Sequence, residues 1–136
     1  MAKLTWRSHF VSHPGKRRRV NEDACIDAAR HGLWAIADGM GGHVAGELAS
    51  RAVTEALDAL ATSGAPVTVD GVAARLASVN ERLRRLSETS FRGSTLGTTV
   101  AVLVIEGERA TCLWAGDSRI YRWRAGVLSL LTRDHT

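Results

Sequence analysis

The chain has 136 residues, of which 45% are hydrophobic and 24% are charged, and its formal net charge at pH 7 is +4. This length and composition predict one globular domain, residues 1–136, with a hydrophobic core, and they exclude a largely disordered chain. No apolar run approaches the roughly 20 residues needed to span a bilayer, and the N-terminus lacks the apolar core of a signal peptide. We therefore expect a cytoplasmic protein that does not contact membranes.

The spacing of apolar and turn residues predicts strands near both ends of the chain and two helices between them. The predicted strands span residues 5–12, 23–29, 33–37, 98–105, 109–115, 119–124 and 127–131. The first predicted helix spans residues 45–60, and the second begins with Asp70 as its N-cap and ends near Leu86, before a loop at 87–96. Short glycine-containing turns between the last strands indicate an antiparallel meander. This order of elements is typical of an α+β fold.

The chain contains two cysteines, Cys25 and Cys112. Each lies in a predicted strand and neither belongs to a Cys-x-x-Cys motif, so we expect reduced, buried thiols. A disulfide between them is the less favoured alternative.

Polar motifs stand at the ends of several apolar runs. They are Arg18-Arg19-Val20-Asn21-Glu22-Asp23, Asp38-Gly39-Met40-Gly41-Gly42-His43 and Gly116-Asp117-Ser118-Arg119. A strand in each run would deliver the carboxylates to one edge of a sheet, and carboxylate oxygens suit Mg²⁺ or Mn²⁺ better than Zn²⁺. Arg18 adds a planar donor group that matches phosphate. Metal ligands together with a phosphate ligand indicate phosphoryl chemistry.

These motifs resemble the metal-dependent protein serine/threonine phosphatases of the protein phosphatase 2C type, in their bacterial form. The resemblance extends in the family's order over residues 15–18, 21–23, 37–43, 97–99, 114–121 and 131–136. Residues 32–53 and 112–126 look most like the subgroup associated with type VI secretion. The family implies a β-sandwich flanked by antiparallel helix pairs, with the metal site at one edge between the sheets. The 136 residues would form the N-terminal portion, about half, of such a catalytic domain.

The resemblance also implies roles for individual residues. Asp38 would bridge two metal ions, and the carbonyl of Gly39 would bind one of them; the alternative for Asp38 is to cap the following loop or helix. Asp23 and Glu22 would act through metal-bound waters or as acceptors around the metal ligands; the alternative for Glu22 is an ordinary solvated acid. Arg18 would hold the substrate phosphate, or else belong to an ordinary basic turn.

His43 and Asp117 complete the predicted site. His43 is a candidate general acid for the leaving alkoxide. The family's eukaryotic members place a histidine directly after Asp-Gly, whereas this chain has Met40 there, so the alternative for His43 is only to begin a helix. By resemblance, Asp117 joins a third metal ion; the alternative is a turn aspartate bonded to backbone amides. We expect Arg119 to brace this turn through a salt bridge.

The family implies hydrolysis of phosphoserine and phosphothreonine in proteins by water activated by two or three Mn²⁺ or Mg²⁺ ions. The resemblance to the type VI secretion subgroup alone implies a pathway that opposes a serine/threonine kinase. Family members draw at least two more aspartates from a second half, so the activity of the isolated chain is left open. One alternative is a non-catalytic module that binds phosphoproteins. Another, a nucleic-acid-binding domain, is disfavoured because no aromatic residues interleave the basic run. Exposed strand edges would favour self-association.

Overall fold

The computed structural model describes residues 4–16, 21–90 and 95–135. Its elements, in chain order, are β1 (Asp23–Ala28), a 3₁₀ helix (Ala29–His31), β2 (Leu33–Met40), α1 (His43–Ala61), α2 (Val69–Thr89), β3 (Gly97–Thr98), β4 (Val100–Glu106), β5 (Arg109–Ala115), β6 (Tyr121–Arg124) and β7 (Val127–Leu130). The predicted α+β class is confirmed. No helix in these ranges has the length and apolar character needed to cross a membrane.

The central sheet is antiparallel, with strand order β1-β2-β4-β5, and the short β3 pairs with the end of β2. Burial alternates along β2, so that Leu33, Ala35 and Ala37 are buried on the face that α1 covers while Ile36 and Asp38 are exposed on the outer face. This period of two is the pattern of a sheet with one covered face. β6 and β7 form a separate hairpin.

Both helices pack against each other and α1 packs against the sheet. The buried stripe on α1 includes Val53 and Leu57, and it contacts a sheet face that contains Val102. Burial of a side chain such as Leu57, which is 0% exposed, contributes about 1.5–3 kcal/mol. α2 begins at an N-cap, Thr68, whose hydroxyl accepts a hydrogen bond from the amide of Gly71 at 3.0 Å.

The predicted first strand, residues 5–12, is wrong. This segment has no strand conformation, although it contacts β1. It is attached through side chains: the indole Nε1 of Trp6 donates to the carbonyl of Ala29 at 2.9 Å, and the hydroxyl of Ser8 donates to Asp27 at 2.7 Å. Trp6 also contacts Trp34 edge to face, with ring centroids 5.6 Å apart. Apolar and β-branched residues favour a strand, but without a backbone ladder no strand forms.

The second helix is longer than predicted at both ends. Its N-cap is Thr68 rather than Asp70, and it continues to Thr89 rather than ending near Leu86. Its last turns carry ion pairs between Arg84 and both Glu81 and Glu88, at 2.9 and 3.4 Å. Ion pairs three and four residues apart stabilise helical turns even where the sequence is polar. The helix therefore continues into the polar stretch from residue 87, which was predicted to be a loop.

The last strands do not form a continuous meander. β5 ends at Ala115, and Gly116 follows with a φ of 103°, so the chain leaves the sheet before β6 begins. Both cysteines are free, as expected for reduced thiols, but they are half-buried rather than buried. Cys25 lies on β1 and Cys112 on β5, with β2 and β4 between them. Burial raises the pKa of both thiols, and the charge of Asp27 adds to the effect at Cys25.

Candidate metal centre

Strand pairing places Asp23 directly opposite Asp38. Their Cα atoms are partners in the antiparallel register of β1 and β2, and both side chains are exposed. Directly opposite residues share one face of a sheet, with Cβ atoms about 4.5–5.5 Å apart, and like charges in this arrangement are destabilising. A cation would offset this repulsion. Two of the predicted metal ligands are therefore brought together on the outer face at one end of the sheet.

A cavity of about 420 Å³ adjoins this carboxylate pair. Asp23, Asp38 and Ser118 line one part of it, and residues 11–13 form another wall. A water molecule occupies about 30 Å³ in the liquid, so the space accommodates hydrated cations and a phosphate group. The cavity lies where the ends of β1 and β2 meet the turn that contains Asp117.

The glycines after Asp38 permit close packing of α1 against the end of β2. A Cβ on Gly39 would overlap the carbonyl oxygen of Gly46, in the first turn of α1, and would lie 3.0 Å from the carbonyl oxygen of Glu22. The amide of Gly39 donates to that same carbonyl at 3.1 Å. Side chains at these positions would force the helix away from the strand, so glycine at 39 is explained by backbone contact between elements.

Glu22 lies beside the first turn of α1. Its Oε2 would be 2.7 Å from a Cβ placed on Gly46, and its residue is half-buried. The N-terminus of a helix carries partial positive charge, and none of the described side chains caps α1 by a hydrogen bond. A carboxylate at this position stabilises the helix end. The structure therefore gives Glu22 a neighbour that neither sequence interpretation included.

The backbone of Asp38 is held by Thr99. The amide of Asp38 donates to the Thr99 hydroxyl at 3.1 Å, and the amide of Thr99 donates to the carbonyl of Asp38 at 2.9 Å. The Thr99 hydroxyl also lies 2.6 Å from that of Ser118. Thr99 and Ser118 belong to the sequence motifs at 97–99 and 114–121, but the sequence indicates no role for either side chain. The one available signal was position: Thr99 lies just before β4 and Ser118 directly after Asp117, which puts both near the predicted metal site.

Arg119 braces the turn after β5, as predicted. Its guanidinium forms two hydrogen bonds with the Asp134 carboxylate, at 3.0 and 2.7 Å, and these bonds lower the pKa of Asp134. His135 adds two hydrogen bonds to the same turn: its amide donates to the carbonyl of Gly116 at 2.9 Å, and its Nδ1 accepts from the Gly116 amide at 3.3 Å. The His135 ring stacks on Trp114. Residues 132–135 thus hold the turn that carries Asp117.

Comparison with known proteins decides the family. The family model described as protein phosphatase 2C matches residues 13–136. The chain belongs to this family.

The chain is similar to several bacterial proteins. It is 38% identical over 148 residues to the serine/threonine protein phosphatase PstP of Mycobacterium tuberculosis, covering 100% of this chain and 27% of PstP. The structure of PppA, described as a key regulatory component of T6SS in Pseudomonas aeruginosa, is 46% identical with a TM-score of 0.84, over 92% of this chain and 54% of PppA. The PstP catalytic domain in complex with two manganese ions is 35% identical with a TM-score of 0.78, over 91% of this chain and 54% of that domain. The chain spans about half the length of these two structures.

The described part of this phosphatase-family chain brings together some of the predicted site residues and not others. Asp23, Asp38 and Gly39 share one end of the sheet. Within residues 4–16, 21–90 and 95–135, no three His, Cys, Asp or Glu side chains form a group that could hold a metal ion. Asp117, which is exposed, therefore does not converge with Asp23 and Asp38 in one such group.

Two predicted residues stay untested by the structure. Arg18, the candidate phosphate ligand, lies outside the described residues. His43 is the first residue of α1, and its side chain is likewise outside what the structure describes.

Proposed function

We propose that this protein hydrolyses phosphoserine and phosphothreonine in other proteins, with Mn²⁺ or Mg²⁺ as cofactor. The observation that carries the proposal is the register that sets Asp23 opposite Asp38 beside a cavity. Membership of the protein phosphatase 2C family, and the manganese-containing PstP structure, support it.

The residues at the sheet edge fit a hard divalent cation. Carboxylate and carbonyl oxygens are the donors that Mg²⁺ and Mn²⁺ prefer, and neither cysteine is among the proposed ligands. Asp38, the carbonyl of Gly39 and Asp23 would hold the ions, with Asp23 acting directly or through water, and Asp117 would contribute to a third ion. When bound, such ions supply positive charge for the phosphoryl group and acidify the attacking water.

The chain's own groups bind substrate and move protons. Arg18 is proposed to hold the phosphate oxygens through parallel N–H donors, which would fix the phosphorus in position. His43 is the proposed donor of a proton to the serine or threonine oxygen as it leaves. The positive end of α1 lies at the same edge, and it favours the anionic phosphate.

A type VI secretion role is the finer proposal. PppA, the structural relative that is 46% identical, is described as a key regulatory component of such a system. We infer that this protein acts in the cytoplasm on proteins phosphorylated by a serine/threonine kinase of a comparable pathway.

A second candidate function is phosphoprotein binding without hydrolysis. The observation that favours it is the lack, in the described ranges, of three converging metal-ligand side chains. Self-association is also proposed, because β5 stands at the edge of the sheet and the β6–β7 hairpin exposes Tyr121, Trp123, Leu128 and Leu130. A second copy could then supply oxygen ligands.

The test is phosphate release from a phosphothreonine peptide by the purified chain with Mn²⁺, compared with Asp38→Asn. A matched control is Asp58→Asn, which makes the same chemical change on the exposed face of α1. We expect release that depends on Mn²⁺ and disappears only in Asp38→Asn. Equal turnover in both variants would refute the site. Peptide binding without turnover in wild type would support the second function.

A further inference from the structure

Thr99 replaces part of the backbone ladder next to Asp38. The register of β2 continues from Ile36↔Ala101 to Gly39↔Thr98, which sets Asp38 opposite Thr99. An ordinary ladder would pair the Asp38 amide with the carbonyl of Thr99. Instead the amide donates to the Thr99 hydroxyl at 3.1 Å, and the Thr99 carbonyl accepts from the hydroxyl of Thr98 at 2.8 Å. Consequently β3 and β4 are separate strands on either side of Thr99.

The Thr99 hydroxyl also connects Asp38 to the turn after β5. A hydroxyl has one proton and two lone pairs, and the Asp38 amide occupies one lone pair. The remaining capacity is directed at Ser118, whose Oγ is 2.6 Å away, so one of the two hydroxyls donates to the other. Thr99 is only 5% exposed, so solvent does not substitute readily for either bond. Ser118 lines the cavity beside Asp23 and Asp38.

The methyl group of Thr99 has a separate role in packing. A Cβ on Gly116 would lie 2.7 Å from Cγ2 of Thr99, so the backbone of the turn rests on this methyl group. The two functions of the side chain can therefore be separated by substitution: valine keeps the methyl contact and removes the hydroxyl, whereas serine keeps the hydroxyl and removes the methyl group.

We propose that Thr99 and Ser118 are positioning residues that fix the backbone of Asp38 relative to the Asp117 turn. The Thr99 hydroxyl orients the Asp38 backbone, and Ser118 ties this point to the next motif. The consequence for metal binding rests on the proposed function, since it requires Asp38 to be a ligand. The hydrogen-bonded link itself does not, because it is formed by the protein alone.

The first test is hydrogen exchange of the Asp38 amide by NMR in the metal-free chain, with the Val102 amide in the core as reference. In Thr99→Val we expect Asp38 to exchange at least about tenfold faster relative to Val102, because its acceptor is gone. In Thr99→Ser we expect protection within about threefold of wild type. The reverse order, with fast exchange of the Asp38 amide in Thr99→Ser and protection in Thr99→Val, would show that Thr99 acts by packing and would overturn the proposal.

The second test is a titration with Mn²⁺ alone, followed by paramagnetic broadening of the Asp23 and Asp38 resonances. We expect Thr99→Val and Ser118→Ala each to raise the Mn²⁺ dissociation constant, Thr99→Val by about tenfold or more, with Thr99→Ser close to wild type. The double variant should lose less Mn²⁺ affinity than the two single variants combined, since both substitutions break the same hydrogen-bonded link. If wild type binds Mn²⁺ and Thr99→Val and Ser118→Ala bind it with unchanged affinity, the positioning role is overturned. Absence of broadening in wild type would refute the metal site, and the exchange result would still decide the link.

Discussion

Replacing Gly39 by alanine should destabilise the chain without touching any proposed metal-ligand side chain. The added Cβ would overlap the carbonyl oxygen of Gly46 and lie 3.0 Å from that of Glu22. Both neighbours are backbone atoms, in α1 and before β1, so neither can rotate away as a side chain would. The first turn of α1 must therefore move relative to β2.

The size of the effect follows from the packing. Overpacking of a tight site costs about 1–3 kcal/mol, and for a domain of this size each kcal/mol lowers the melting temperature by roughly 3–5 °C. Gly97→Ala is the matched control. Gly97 lies in β3 opposite Met40, has no positive φ, and a Cβ there would be 3.7 Å from the nearest atom, the Cγ of Met40. This control should be neutral or slightly stabilising, because alanine restricts the unfolded chain.

Thermal unfolding followed by circular dichroism, in metal-free buffer, measures both variants against wild type. We expect Gly39→Ala to melt about 3–15 °C lower, and Gly97→Ala within about 2 °C of wild type. A Gly39→Ala protein that melts like the control would show that the helix does not pack on the strand as described. An equal loss in both variants would mean that any side chain at this sheet edge is harmful, and the argument from the Gly46 contact would fail.

Two further predictions concern charge. Asp23→Asn removes one of two like charges that face each other, so it should stabilise the metal-free chain by about 0.2–0.5 kcal/mol in urea unfolding. The same variant should bind Mn²⁺ more weakly. A lower stability of the metal-free variant would contradict the pairing of Asp23 with Asp38. Arg119 lowers the pKa of Asp134 from its ordinary value of 3.8, so the salt bridge contributes stability above that value and loses it as pH falls through the lower folded value. The difference in melting temperature between wild type and Asp134→Asn should therefore be largest near neutral pH and vanish at the acidic end; a difference that stays constant with pH would exclude the ion pair as its cause.

The sequence alone was sufficient for the fold class, the two helices and most of the strands. Each depends on local periodicity: Leu57 and its neighbours recur at helical spacing, and β2 alternates between buried and exposed residues. The family was expected from the sequence as well, because the polar motifs around Asp38 and Gly116 resemble those of protein phosphatase 2C in identity and order. Residues 5–12 misled because strand-forming composition is local, whereas a strand requires a hydrogen-bonding neighbour.

Tertiary structure decided how the motifs meet. Asp23 and Asp38 are paired by a register that depends on the 3₁₀ helix Ala29–His31 and the positive φ of Gly32, and composition does not specify register. Thr99 and Ser118 touch only because β4 and β5 lie side by side, so that hydroxyls 19 positions apart in sequence come within 2.6 Å. The close approach of α1 to Gly39 is a contact between backbones, which leaves no pattern in hydrophobicity. Local spacing specified the elements and their chemistry; pairing between distant segments placed that chemistry at one edge of the sheet.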